Sequence, residues 1–438
     1  MFGKEYKILL LIVLFGFLNM NPEDSGGTSP LLMPYLPENS RLLNSFSDND
    51  YYDAFDNTVK YFIRSWDIKG SSIAVYKDGR LVLARGYGIA DDHGSVKVQP
   101  YHRFRIASVS KLITATAIMK LYEDGKLDLN QKVFGPEGIL NDDYYSDPHD
   151  SRAEQITVAH LLSHKGGWTP RWGDHMFMPL VVASSLGIDP PVSTENIVRF
   201  ALNKRLHFTP GRGRSYSNLG YAILGLVVEK VSGMPYDEYC QLNLFEPLGL
   251  FDFELARNLY NQRSPFEVKY FEPSNAIPKK SIYGTGNLVP ASNGGNDIEA
   301  LGGAGAWITT APDLLRFILS IDGIDDVEDI LSPGTIKLMT DRTNGWSPIG
   351  WKGSTSNGYW WRTGSFAGTS AMVRRYPDGM VWVALFNTNT WKQSKFPSDV
   401  SSMMTRAIYR TGEWTGEDLF DYSLPVPLST YPFITGSE

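Results

Sequence analysis

Ser108 and Lys111 stand three residues apart at the front of a run in which Leu112, Ala115 and Met119 recur at helical spacing. On a helix that spacing puts both on one face. The lysine amine then reaches the serine hydroxyl, and the helix N-terminus offers backbone N–H groups to a developing oxyanion. This is the equipment of an activated nucleophile that attacks a carbonyl. Downstream, Tyr216-Ser217-Asn218 follows the turn Pro210-Gly211-Arg212-Gly213 and opens an amphipathic run, so a phenol and an amide are presented from a rigid element. Further on, Arg362-Thr363-Gly364-Ser365 closes a strand-like run. There Gly364 lets a substrate lie against the strand edge, and the Ser365 N–H supplies a second oxyanion donor. Taken singly, each piece has a plainer reading: Ser108 as a helix cap, Tyr216 as a core aromatic, Arg362 as a solvated strand charge. Their occurrence together, in this order, favours catalysis.

Other reactive groups offer less. His160 and His164 lie four apart on a helical pattern, but no carboxylate or third histidine stands at a useful spacing for a metal. All seven histidines lie at or before His207, and no Gly-x-Ser-x-Gly occurs, which excludes a nucleophile-elbow hydrolase with its histidine last. Ser47-Asp48-Asn49 precedes the nucleophile and falls in a linker-like stretch, so it reads as coincidence. Cys240, alone in the chain, sits in an apolar helical context as an inert buried thiol and cannot form an internal disulfide.

The elements that must hold these groups alternate in an informative order. Phe55, Val59, Phe62 and Ile63 mark a helix within 50–66, and strand-like runs at 71–76 and 80–86 flank Asp78-Gly79, a hairpin dipeptide. Runs at 359–363, 371–376 and 381–386, the last two around Pro377-Asp378-Gly379, supply three more strands. A helix carrying Val400, Met404, Ala407 and Ile408 follows them. Between the strand sets, helical patterns dominate, at 108–122, 157–162, 194–202 and 218–231. The expected fold is therefore α/β (α+β): a five-stranded antiparallel sheet flanked by N- and C-terminal helices, with an inserted, mainly helical lobe. Loops at 139–155, 168–193 and 250–300 read as pocket walls or lids.

With these pieces placed, the chain resembles the serine β-lactamase and penicillin-binding-protein superfamily, in particular its class C β-lactamase, D,D-peptidase and esterase branch. Beyond the three motifs, the resemblance rests on 72–91, 157–168, Phe208-Thr209-Pro210-Gly211 and 302–315, and it covers roughly 50–411. It implies an acyl-enzyme on Ser108 with no cofactor. Lys111 and Tyr216 share the serine proton, with Tyr216 as general base. Asn218 hydrogen-bonds the substrate or Lys111, and the Ser108 and Ser365 N–H groups hold the oxyanion. A tyrosine serves as base only where cations stabilise its phenolate. Arg362 departs from the Lys or His usual at the head of the third motif. It keeps a fork suited to a carboxylate but cannot give up a proton. The implied activity is hydrolysis of an ester, amide or β-lactam bond; the alternative is a catalytically weak penicillin-binding or peptidoglycan-recognising receptor of the same fold.

The 438 residues, 42% hydrophobic and with a formal charge of −7, can fill a substantial core, and they show no basic run for nucleic acid. A small-molecule or peptide substrate, one that can carry a carboxylate, is the expected ligand, without a stable partner. Lys4 and Lys7 before the apolar run Ile8 to Leu18 give residues 1–20 the form of a secretory signal, though no small-residue cleavage site follows, which leaves an uncleaved anchor as the alternative. Secretion or a periplasmic location follows from that reading. Residues 21–48 read as a linker, 49–411 as the hydrolase domain (sheet lobe 49–105 and 300–411, helical lobe 106–299) and 412–438 as a tail.

Overall fold

The computed structural model describes residues 41–421, apart from 146, 347, 393, 394 and 415. The signal-like segment, most of the linker and the end of the tail lie outside the described residues. The framework is an antiparallel sheet of β1 (Gly70–Lys77), β2 (Arg80–Gly88), β3 (Gly353–Ser354), β4 (Trp360–Phe366), β5 (Thr369–Arg375) and β6 (Val381–Phe386), in the order β2-β1-β6-β5-β4-β3. Chain ends thus close the sheet, as the strand pattern requires. It has six strands instead of the expected five, because Gly353–Ser354 adds a two-residue edge to Trp360–Trp361. A strand that short carries no alternation in the sequence. The β1–β2 turn takes positive φ at both Asp78 and Gly79, the geometry expected of that dipeptide.

Both faces of the sheet are covered, so its strands read as nearly unbroken apolar runs. On one face, Ile73, Val75, Trp382, Ala384 and Phe386 pack under α1 (Asp53–Ser65) and α4 (Phe396–Thr411). Alternate residues, Ala74, Tyr76, Val381, Val383 and Leu385, join the larger core that runs into the helical lobe. At the centre of that lobe lies α2 (Ser110–Glu123), with buried residues from Ser110 to Met119 without a break. It packs on α3 (Asn218–Ser232), itself buried from Asn218 to Val228. A helix apolar all round belongs inside a lobe, and these two form the rigid floor from which the reactive side chains project.

Parts of the expected linker and tail pack onto the domain itself. The last part of the linker packs against the edge strand: Asn44 Nδ2 donates to the carbonyls of Gly86 and Val98 at 3.1 Å, and Ser47 Oγ to that of Ala84 at 2.9 Å. On the tail, Asp418 accepts the Leu81 N–H at 2.9 Å and Phe420 lies 6.3 Å from the Tyr76 ring. Polar, turn-forming composition conceals both, since the contacts are side-chain caps on an edge strand.

Candidate active site

The nucleophile turn is built before α2 begins. Ala107–Val109 form a 3-10 turn, and Ala107 holds φ at +48°, a left-handed value uncommon for a residue with a Cβ. A tight turn here leaves Ser108 at the head of α2, with Lys111 one turn behind. Lys111 is fully buried, and its Nζ donates to Ser108 Oγ at 3.3 Å, to Asn218 Oδ1 at 2.8 Å and to the Ala304 carbonyl. An ammonium has three protons, and each has an acceptor here. Burial nevertheless disfavours the cation and, with Arg362 nearby, brings the amine down to about 8.

Tyr216 and Asn218 are oriented by the residue between them. Ser217 caps α3, its Oγ accepting the Gly220 N–H at 3.0 Å, so Asn218 begins the helix and Tyr216 stands just outside it. The Tyr216 ring is 41% exposed, but its hydroxyl sits 2.6 Å from Ser108 Oγ. Desolvation raises this phenol. The Lys111 and Arg362 cations, 5.0 and 5.9 Å from the ring centroid, and the hydrogen bonds of Lys111 and Ser108 outweigh it, and the net effect holds the group below its ordinary value of 10. A serine hydroxyl thus lies between a depressed phenol and a depressed amine.

The third motif is positioned differently from the expectation. Arg362 is only 2% exposed, and its Nε donates to the backbone carbonyl of Ser108 at 2.7 Å. It lies beneath the nucleophile, out of reach of a substrate carboxylate, which corrects the clamp read from its residue type. The charge instead acts through Tyr216, Lys111 and His164. Gly364 is explained by packing: a Cβ there would run into the Ile106 carbonyl and lie 2.9 Å from Ser108 N, so glycine lets β4 press against the nucleophile turn. The expected role, close approach of a substrate, gives way to close approach of backbone. Thr363 and Ser365 point to the other face of the strand from Arg362, being half-buried where Arg362 and Gly364 are buried. Along β4 the Trp361 carbonyl accepts the Lys352 N–H on the side away from β5. By the period of two, the Ser365 N–H faces that same open side, close to Ser108 N. The Ser365 amide thus lies on the free edge of β4, next to the glycine that touches the nucleophile turn.

Two contributors, Asp174 and Lys352, left no mark in the sequence. Asp174, from a loop between helices, accepts the Asn218 Nδ2 at 2.7 Å and so turns Oδ1 toward Lys111. Asn218 thus serves the lysine through Oδ1, and the second N–H of its amide is left for a substrate. His164, buried and with φ at +60°, holds its imidazole neutral, well below the ordinary value, through desolvation and then the cations of Arg362 and Lys111. Its Nδ1 accepts the Ser217 N–H at 3.3 Å and its ring packs 4.8 Å from that of Tyr216. His160 instead accepts the Thr157 N–H at its helix start. The two histidines are thus posts of the scaffold, and among the described residues no cluster of three His, Cys, Asp or Glu suited to a metal occurs. Lys352 donates to Thr363 Oγ1 at 3.0 Å at the rim of the site. The thiol of Cys240 is buried and pushed up by desolvation, as an inert core group.

Against known proteins, residues 55–399 match the Beta-lactamase family. Protein flp of Staphylococcus aureus strain MRSA252 is 27% identical over 237 residues, 52% of this chain and 43% of that protein. The chain thus spans less than half the length of these curated relatives. Penicillin-binding protein 4 of Amycolatopsis lactamdurans is 26% identical over 360 residues, 76% of this chain and 84% of its own. A solved structure of D-amino acid amidase from Ochrobactrum anthropi SV3, complexed with D-phenylalanine, superposes with a TM-score of 0.63 at 21% identity, over 83% of this chain and 99% of that one.

Proposed function

Because the chain belongs to the beta-lactamase family, with the fold of the serine β-lactamases and penicillin-binding proteins, we propose that it is a serine hydrolase that cleaves ester or amide bonds through an acyl-enzyme on Ser108. The observation that carries this reading is the Ser108 hydroxyl placed 2.6 Å from the Tyr216 phenol and 3.3 Å from the Lys111 amine, both depressed below their ordinary values. The amidase and penicillin-binding relatives lend support to an acyl substrate with an amide or amide-like bond.

In the proposed reaction, Tyr216, as phenolate beside the Lys111 cation, takes the Ser108 proton while Oγ bonds to the substrate carbonyl carbon. The carbonyl electron pair moves onto oxygen, which the N–H groups of Ser108 and Ser365 receive. When the intermediate collapses, the bond to the leaving group breaks and that group takes the proton from Tyr216. Water then attacks the acyl carbon and gives its proton to Tyr216. The Ser108 ester bond breaks, the acid departs, and the proton returns to Oγ. Arg362 contributes charge beneath this exchange and holds the Ser108 carbonyl, while Asp174 and Asn218 keep Lys111 in place.

The test is turnover of a p-nitrophenyl ester series, D-alanyl peptides and a chromogenic cephalosporin by wild type and Ser108→Ala. Turnover of at least one class by wild type, lost in the variant, is the expected result. No turnover of any substrate at any pH would leave a ligand-binding protein as the reading of this fold. We propose further that residues 1–20 direct export. Their charge-then-apolar order supports this, and the mass of the protein recovered outside producing cells tests it.

A further inference from the structure

Thr363, two residues from Ser365 and so about 7 Å along the strand, lines a concavity outside the reacting centre. This is an open groove of about 680 Å³ on the outer face of β4 and β5, bounded by the start of α4. Its floor includes Trp361 and Met372, and its polar walls carry Lys352, Arg374, Lys392 and Lys395 against a single carboxylate, Asp399. That carboxylate is already taken by Lys392, at 3.0 and 3.1 Å. Lys352 is exposed with its amine on the Thr363 hydroxyl, Lys395 is exposed, and Arg374, lying over the Tyr359 and Tyr376 rings, leaves a buried Nε without a partner among the described residues while Nη1 holds Ser401 Oγ at 2.6 Å. Among the described residues, none of these three is paired with a carboxylate. Like charges gathered around an apolar floor repel one another, and a ligand of opposite sign relieves that repulsion. The protein as a whole is acidic, with a formal charge of −7, so the groove runs against the chain's overall sign.

We propose that this groove binds an acidic peptide segment of the substrate, which crosses the open edge of β4 at Thr363 so that its carboxylates meet Lys352, Arg374 and Lys395. The inference rests on the proposed acyl chemistry only for its link to Ser108; the binding itself does not depend on turnover. It also relocates anion recognition from the enclosed Arg362 to Lys352, which reaches solvent at the mouth of the site. Desolvation and the Arg362 charge lower the Lys352 amine, which places this lysine within the field of the catalytic cluster. The apolar floor suits the stems of glutamate side chains, and their carboxylates reach the rim.

Titration of the full chain with N-acetyl-Ala-Glu-Glu and with its neutral Gln-Gln amide tests the proposal by calorimetry. Wild type is expected to prefer the acidic peptide by about tenfold, a preference that shrinks as added salt shortens the screening length. Lys395→Glu, an exposed change that leaves the core untouched, should reduce the preference several-fold, and Lys352→Gln/Lys395→Glu should abolish it. Equal affinity for the two peptides, or a preference unchanged in both variants, overturns the proposal. The same titrations with Ser108→Ala separate the two claims. Acidic-peptide binding without ester turnover in wild type removes the hydrolase reading alone, and turnover indifferent to the peptide's charge removes the groove alone.

Discussion

Replacement of Arg362 by Gln should raise the pH at which the enzyme becomes active, for every substrate alike. The guanidinium lies 5.9 Å from the centroid of the Tyr216 ring. At an effective dielectric constant of about 20, a unit charge at that distance contributes roughly 3 kcal/mol to phenolate stability. Glutamine retains a donor for the Ser108 carbonyl, so the nucleophile turn is held while the charge is removed. Without the cation Tyr216 titrates higher, and the fraction of phenolate at neutral pH falls by up to about a hundredfold. The acidic limb of the kcat/KM profile should therefore move upward on a neutral ester and on a carboxylate-bearing substrate alike. A profile with an unmoved limb, or a loss confined to the anionic substrate, would refute the reasoning and restore Arg362 as a carboxylate clamp.

Lys111→Ala and Tyr216→Phe should each remove most turnover, and the double variant should lose little more than either, because the two groups serve one proton; fully multiplicative losses in kcat would contradict this. Asp174→Asn should lower kcat by about tenfold with a small change in KM, since it frees the Asn218 amide to rotate and withdraws a charge that favours the Lys111 cation; an unchanged kcat would show that Asn218 is fixed by other means. Gly364→Ala should destabilise by about 1–3 kcal/mol and depress activity together, read by denaturant midpoint and ester turnover, because the added methyl meets the Ile106 carbonyl. The buried Lys111 gives a signed pH effect. Its folded value of about 8 lies below the ordinary 10.5, so between those limits the unfolded chain binds more protons and stability rises with pH; Lys111→Met should lack that increment in melts compared across the window.

How much of this was legible in the sequence depends on whether a feature is local. Ser108 with Lys111 and Tyr216 with Asn218 are each set by helix spacing or by one cap, so residue type and short-range geometry were enough to find them. Closure of the sheet by the two chain ends follows from the strand runs at both ends, and the hairpin at Asp78-Gly79 follows from its turn chemistry. What escaped depends on distant chain segments. Arg362 looks like a surface cation until β4 is laid against the nucleophile turn, 254 residues earlier in the chain. Gly364 looks like a concession to substrate until the same contact is seen. Asp174 lies in a loop with no periodic pattern, and His164, unsuited by its spacing to a metal, shows nothing in sequence of its packing on Tyr216 or its bond from the Ser217 N–H.

The serine that carries the acyl group identifies the nucleophile directly. Wild type treated with a fluorophosphonate, and separately with a slowly hydrolysed acyl donor, should gain the mass of one adduct, and peptide mapping by mass spectrometry should place it on Ser108. Lys111→Ala should label far more slowly, and Ser108→Ala should not label there. An adduct on another residue, or equal labelling of wild type and Lys111→Ala, would contradict the assignment of Ser108 as a nucleophile activated by its neighbouring amine and phenol.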